Sequence, residues 1–324
     1  MSTRSRPARA VVAVLATLAA LAVLVTVGVF VLREFFGPLP GEDACTAEVG
    51  ESTVTLDLEQ ARYAATISAV SVQRGLPARA ASIALATAYQ ESKILNVDYG
   101  DRDSLGLFQQ RPSQGWGEPA QILDPYYSSN QFYEALAQVE GYESMPIDEA
   151  AQQVQRSADG SAYAPHEDNA RTLASALTGY SPAAFSCEVD EPTASAEPAG
   201  DEGLTPAASA VRSEVGRAFG ELPAGGFSAE GVTTGHSEDS PHYDGRAIDY
   251  FFRPASPANR QRGWALAHFL VAQADELSIS TVIFDDRIWT ASRSDEGWRE
   301  YDEGDGGGDP TVLRHLDHVH VDVA

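Results

Sequence analysis

Basic residues are what this 324-residue chain lacks most: 22 lysines and arginines stand against 47 aspartates and glutamates, a formal net charge of −25. Such a surface repels phosphate backbones and offers no basic groove to neutralise them, which excludes nucleic acid as a partner. Cysteine is scarce as well. Cys45 and Cys187 are the only two, with no Cys-x-x-Cys and no histidine close by, so a cysteine nucleophile or a thiolate metal site is excluded. They bracket one stretch of chain and read as a disulfide, and closing so long a loop stabilises a fold by on the order of 4–5 kcal/mol. No internal repeat relates the two halves. Only one apolar run is long enough to span a bilayer, which excludes a transporter.

That run covers 10–32 without a charge, follows Arg4, Arg6 and Arg9, and is closed by Arg33 and Glu34. A spanning helix needs roughly 20 residues, and the positive flank stays in the cytoplasm. The expectation is a single-pass cell-membrane protein with an extracytoplasmic C-terminus, a compartment in which disulfides persist. No A-x-A-like site follows between Leu32 and Pro40, so a retained anchor is expected rather than a cleaved signal peptide.

The length predicts about two globular units beyond the anchor. The expected order is a cytoplasmic N-terminus at 1–9, a transmembrane anchor at 10–32, a spacer at 33–50, a domain at 51–187, a linker at 188–206 and a second domain at 207–324. Apolar residues at Leu58, Ala61, Ala65, Ile67 and Ala69 begin a helical period, and Pro77 opens a second helix at the first-turn position. Further helical runs at 126–139, 146–157 and 167–177 predict an all-α first domain. Between 188 and 206 the chain turns to Glu, Pro, Ala, Asp and Gly, the composition of a flexible linker. Beyond it, helical runs at 207–219 and 259–277 flank strand-like runs at 247–252, 280–284 and 318–323, while 294–310 is polar and rich in Gly and Asp. The second domain therefore reads as α+β.

Two constellations carry chemistry. In the first, Ala80, Ala81, Ile83, Ala84, Leu85 and Ala88 form a buried stripe that Glu91 continues. Desolvation there keeps a carboxylic acid protonated, as a general acid must be. The string Ala-Tyr-Gln-Glu91-Ser92, then Ser104-Leu-Gly106-Leu-Phe-Gln109, then Tyr163, resembles the soluble lytic transglycosylase branch of the lysozyme-like superfamily. The resemblance implies a lysozyme-like fold in which Glu91 protonates the bond between N-acetylmuramic acid and N-acetylglucosamine, with Ser104, Gln109 and Tyr163 contacting substrate. The inserted Asp98, Asp101 and Asp103 offer a second carboxylate, which would allow hydrolysis instead of transglycosylation. Those aspartates equally suit a solvated turn around Gly100. Trp116, Tyr126 and Tyr127 are candidates for stacking on sugar rings or for ordinary packing.

The second constellation is histidine. Six of seven histidines follow Gly235. Ser240-Pro-His242-Tyr-Asp-Gly245-Arg-Ala247-Ile-Asp249 resembles the Ser-x-His-x-x-Gly-x-Ala-x-Asp motif of zinc D-Ala-D-Ala carboxypeptidases and their hedgehog-like relatives. His315-Leu-Asp317-His318-Val-His320 resembles the terminal cluster of penicillin-insensitive murein endopeptidases. The resemblance implies a Zn2+ site of His242, Asp249 and His320, with a fourth position left for the water of a hydrolytic centre. For the base, strand alternation favours His318, unless a bulge turns Asp317 inward. His236 and His315 are candidates to support the ligands or touch substrate; His268 and His166 read as packed or surface residues.

Together these readings predict a bifunctional peptidoglycan hydrolase, with glycan cleavage by Glu91 and zinc-dependent peptide cleavage, whose partners are peptidoglycan and, through the N-terminal helix, the membrane. The alternative is a wall-binding scaffold whose two folds keep their clefts without turnover.

Overall fold

The computed structural model describes residues 43–156, 160–194, 197–236, 239–302 and 308–324, together with Leu15. Strands β1 (Ala44–Val49) and β2 (Ser52–Asp57) form a hairpin turned at Gly50, whose φ of 63° suits glycine. Asp57 ends β2 and caps helix α1 (Leu58–Gln73). Its carboxylate accepts from the Gln60 amide while the Gln60 side chain accepts from the Asp57 N–H, a reciprocal cap. Helices α2 (Ala78–Ser92), α3 (Pro125–Leu136), α4 (Ile147–Gln155) and α5 (Glu167–Leu177) follow. Buried alanines on α1 (Ala61, Ala64, Ala65) and α2 (Ala80, Ala81, Ala84) let these helices lie close together.

Strand β3 (Phe185–Glu188) then returns to β1, giving the order β2-β1-β3. Its register sets Cys187 opposite Cys45, and the two are joined in a disulfide.

Helix α6 (Pro206–Phe219) leads into an antiparallel sheet built from β4 (Ala224–Gly225), β5 (Ala247–Phe251), β6 (Ile279–Phe284), β7 (Arg287–Thr290), β8 (Arg299–Glu300) and β9 (His318–Val323), in the order β4-β5-β9-β6-β7-β8. Between β5 and β6 runs helix α7 (Pro257–Ala272), capped by Ser256 and buried from Gly263 to Ala272. A helix apolar all round must be covered on all sides. Here β6 and β9 cover one side, and α1, α5 and β3 cover the other.

Residues Asp43–Ala324 consequently form one compact unit. The Gln261 amide donates to the Thr178 carbonyl at 3.1 Å, Trp298 Nε1 to the Phe185 carbonyl at 2.8 Å, and Tyr126 Oη to Glu214 at 2.6 Å.

These findings correct the expected fold class. Among the described residues no helix is long and apolar enough to cross a membrane. The two longest, α1 and α7, have 16 residues each, about 24 Å at 1.5 Å per residue. That falls short of a hydrocarbon core of about 30 Å. The single-pass membrane architecture and the localisation built on it are corrected accordingly; apart from Leu15, the run at 10–32 lies outside the described residues. The expected all-α first domain carries a three-stranded sheet, so the chain is mixed α/β with two sheets. The stretch expected to be a flexible linker is also pinned. Val189 N–H donates to Ser294 Oγ, Leu204 is buried, and Thr205 N–H donates to the Gly245 carbonyl at 2.9 Å.

Two consequences of this shared core are testable. Gly179, with φ 79°, lies against α7, where a Cβ would overlap the Gln261 carbonyl oxygen. Gly179→Ala is expected to cost about 1–3 kcal/mol in denaturant unfolding, for the positive φ and the backbone overlap together. His268 on α7 is wholly buried and donates from Nδ1 to the Ala176 carbonyl at 2.8 Å. Burial outweighs that bond and lowers its pKa to about 4. The unfolded imidazole takes up its proton near pH 6.5, so stability is complete above that and is lost as pH falls from about 6.5 to about 4. His268→Gln keeps a donor without titrating, and should remove this acid loss of unfolding free energy, which amounts to on the order of 3 kcal/mol at its foot, as measured by denaturant unfolding across pH.

Candidate functional site

Helix α2 ends at Ser92, where Lys93 and then Ile94 turn into the left-handed region at φ 61° each. Ser92 Oγ donates to the Leu107 carbonyl at 2.8 Å, which ties this helix end to the following loop. Glu91 therefore sits half-buried in the last turn. Tyr163, buried in the 3-10 segment Gly160–His166, donates from its hydroxyl to Glu91 Oε1 at 2.6 Å, and Gln155 at the end of α4 also hydrogen-bonds the carboxyl. Burial raises the Glu91 pKa above its ordinary value, and the bonds from Tyr163 and Gln155 only partly offset this. Trp116, Gln138, Gln153 and Arg156 line a cleft that Gln155 also borders. The amide groups and aromatic ring of this cleft suit a sugar ligand.

The other residues expected here are placed differently. Ser104 and Gln109 pack on Gly100, where a Cβ would overlap the Gln109 side chain. The Gln109 amide donates to the Tyr99 and Gly106 carbonyls at 3.2 and 3.3 Å, so it holds the loop's shape. Asp103 accepts from Arg111 Nε at 2.7 Å and from the Ser113 N–H at 2.8 Å, contacts that hold its carboxyl well below the usual range. Asp98 and Asp101 are exposed. Tyr126 is turned toward α6, where Arg217 lies over its ring.

The histidine site is built by the β5 and β9 register. Asp249 stands directly opposite His320, Phe251 opposite His318 and Ala247 opposite Asp322. Alternation then puts His318, His320 and Asp322 on one face with Asp249, while Val319, Val321 and Val323 form the other. His242 arrives from the turn Pro241–Asp244, whose N–H groups are capped by Ser240.

The three expected ligands converge. His242 Nε2 is 3.1 Å from His320 Nδ1 and 3.3 Å from Asp249 Oδ1, and His320 Nδ1 is 3.1 Å from that same oxygen. Donors around a tetrahedral ion with bonds of about 2.0–2.1 Å stand about 3.3–3.4 Å apart, so these residues fit a zinc-sized cation. The far nitrogens fix the tautomers. His242 Nδ1 donates to the Gly226 carbonyl at 2.8 Å, and His320 Nε2 faces Asp322 at 3.2 Å, which leaves His242 Nε2 and His320 Nδ1 as the inward donors. Gly226, at φ 81°, has to be glycine, because a Cβ would overlap the His242 ring.

The electrostatics match. Burial opposes charging His320, yet the bonds from Asp249 and Asp322 outweigh it and raise its pKa to about 9. Burial likewise opposes ionising Asp249, but His242 and His320 hold its carboxyl far below the usual range. The pocket is one that stabilises positive charge. Beside it lies His315, which burial and the neighbouring histidines lower to about 3, with its ring 4.6 Å from that of His318.

A group of His236, His242 and Asp249 can hold a metal ion, their ligand atoms lying within 4.8 Å of one another. His236 was expected only to support the ligands or touch substrate, because it lies outside the motif and is brought in by the path of the chain after β4. Asp322 was legible, being the next inward position of the same alternation. Asp317, although at the start of the strand, meets His318: its Oδ1 is 2.8 Å from His318 Nδ1, and its Oδ2 accepts from Arg253 Nε at 2.5 Å.

A family model described as VldE, C-terminal domain, matches residues 200–312. The matched stretch contains His236, His242 and Asp249 and ends before β9. No curated protein matches the chain.

Proposed function

We propose that the chain is a peptidoglycan hydrolase with two activities, a glycan-cleaving acid at Glu91 and a zinc-dependent peptidase at His242, Asp249 and His320. The observation that supports the reading is the convergence of those three donors, with the outward nitrogens of both histidines already committed.

On the peptide side, bound zinc would acidify a water and polarise an amide carbonyl. The chain's own residues do the rest. Asp317 accepts from His318 Nδ1 and is held in turn by Arg253, so His318 presents Nε2 as the group that takes a proton from the attacking water and passes it to the leaving amine. Asp317 thus orients the base, and in this reading the two residues act as a pair.

On the glycan side, Glu91 is the proton donor, its pKa raised by burial, and Tyr163 positions its carboxyl. No second carboxylate is needed if the sugar's own hydroxyl closes on the anomeric carbon. That favours transglycosylation, since Asp103, among the inserted aspartates, is committed to Arg111.

Glu91→Gln should lower glycan release from purified peptidoglycan by roughly 10²–10⁴-fold with the fold intact, because an amide of the same shape cannot supply the proton. Mass analysis showing anhydro ends supports transglycosylation, and reducing ends support hydrolysis. Tyr163→Phe removes a bond that favours the ionised form, so the Glu91 pKa rises further and the alkaline limb of the pH–rate profile moves to higher pH.

The peptidase reading has its own test. His242→Ala, Asp249→Ala and His320→Ala should each abolish zinc binding measured by metal analysis. His318→Ala should keep the metal and lose peptide cleavage by roughly 10²–10⁴-fold, with Asp317→Ala losing less. A parent protein that binds zinc and cleaves no muropeptide would support a wall-binding role instead.

A further inference from the structure

Three protein donors leave one position of a tetrahedral ion open, and the residue beside that position belongs to the chain itself. The ring of His236 stacks on His242 with centroids 3.9 Å apart and 25° between planes. Its ligand atom groups with those of His242 and Asp249 inside 4.8 Å. The backbone that carries this imidazole is also held in place. The His236 N–H donates to Tyr243 Oη at 3.2 Å, and the same hydroxyl donates to the His236 carbonyl at 2.8 Å.

Tyr243 follows His242 in the chain and sits in the same short turn. The clamp therefore fastens the His236 segment to the very element that delivers a metal ligand. Glycines at 231 and 235, with φ 80° and 95°, provide the turns that lay His236 there.

Resting on the zinc-site reading above, we propose that His236 is a fourth protein ligand that caps the metal in the resting protein, and that water or substrate has to displace it before the peptidase can act. A site closed by four protein donors has the form of a structural zinc centre, whereas three donors and an open position have the form of a catalytic one. A histidine on a clamped segment can move the site between the two. The Tyr243 hydroxyl sets how firmly the cap is held, and no covalent change is required.

The test compares the full-length parent with His236→Ala and Tyr243→Phe, using zinc affinity by chelator competition, the visible spectrum of the cobalt(II)-substituted proteins, and acetohydroxamate as a probe of the open position. Outer partners of metal ligands are worth roughly 10–100-fold in affinity, so a direct ligand should be worth at least as much. His236→Ala should therefore bind zinc roughly tenfold or more weakly, shift the cobalt spectrum, and bind acetohydroxamate more tightly than the parent. Tyr243→Phe should move all three readouts in the same direction by less, with circular dichroism unchanged in both variants. If His236→Ala leaves zinc affinity, cobalt spectrum and hydroxamate binding at parent values while His242→Ala loses the metal, the cap is disproved and the zinc site stands. A parent that takes up no zinc disproves both.

Discussion

Everything in this chain hangs on the burial of one helix. From Gly263 to Ala272, α7 presents no face to water, and its sole titratable group there, His268, is neutral and bonded to a carbonyl of α5. An apolar helix of that kind cannot be the outer layer of a domain, so neither the large sheet nor the helices of the first half are complete without the other. Gly263 shows how close the fit is, since a Cβ there would overlap the ring of Phe284 on β6. The two halves form one compact unit because they share this helix as core.

The shared core also places the chemistry. With one face of β9 committed through Val319, Val321 and Val323 to packing, its other face has to carry His318, His320 and Asp322 together. A slip of one residue in the pairing with β5 would turn the whole imidazole row inward and separate His320 from Asp249. Apolar packing on one side of the sheet thereby selects the register that assembles a cation pocket on the other. At the far end of the first half, the alanine-rich burial of α2 plays the same part for Glu91. The helix buries itself up to Ala88, and the carboxyl one turn later is left at the edge of the core, desolvated and facing Tyr163.

How much of this was readable beforehand differs residue by residue. Helix α2, the alternation of β9, and the motif from Ser240 to Asp249 are local patterns, and the structure has them where the residues put them. Tyr163 was tied to Glu91 only through family resemblance, and the two meet across 72 positions. Ser104 and Gln109 matched the same pattern, yet pack on Gly100, because the loop had to satisfy its own carbonyls first. The acidic, proline-containing stretch at 188–206 has the composition of a free linker. Ser294 and Gly245 nevertheless supply partners for its backbone, and composition carries no record of distant partners.

The amino-acid sequence alone determined the things that depend on neighbours in the chain: helix period, strand alternation, the excess of negative charge, and the types and spacing of the histidines. The pairing of the two cysteines followed because only one partner existed for each. Only the tertiary structure decided that a helix near the middle of the second half would serve both halves, that a small sheet would cover the first, that Asp103 would be spent on Arg111, and that His236 would come to rest on His242. The physical reason is the same in each case. Local geometry repeats every two or 3.6 residues and can be read from a short window, whereas burial, charge pairing and metal-site convergence are set by which distant surfaces exclude water together.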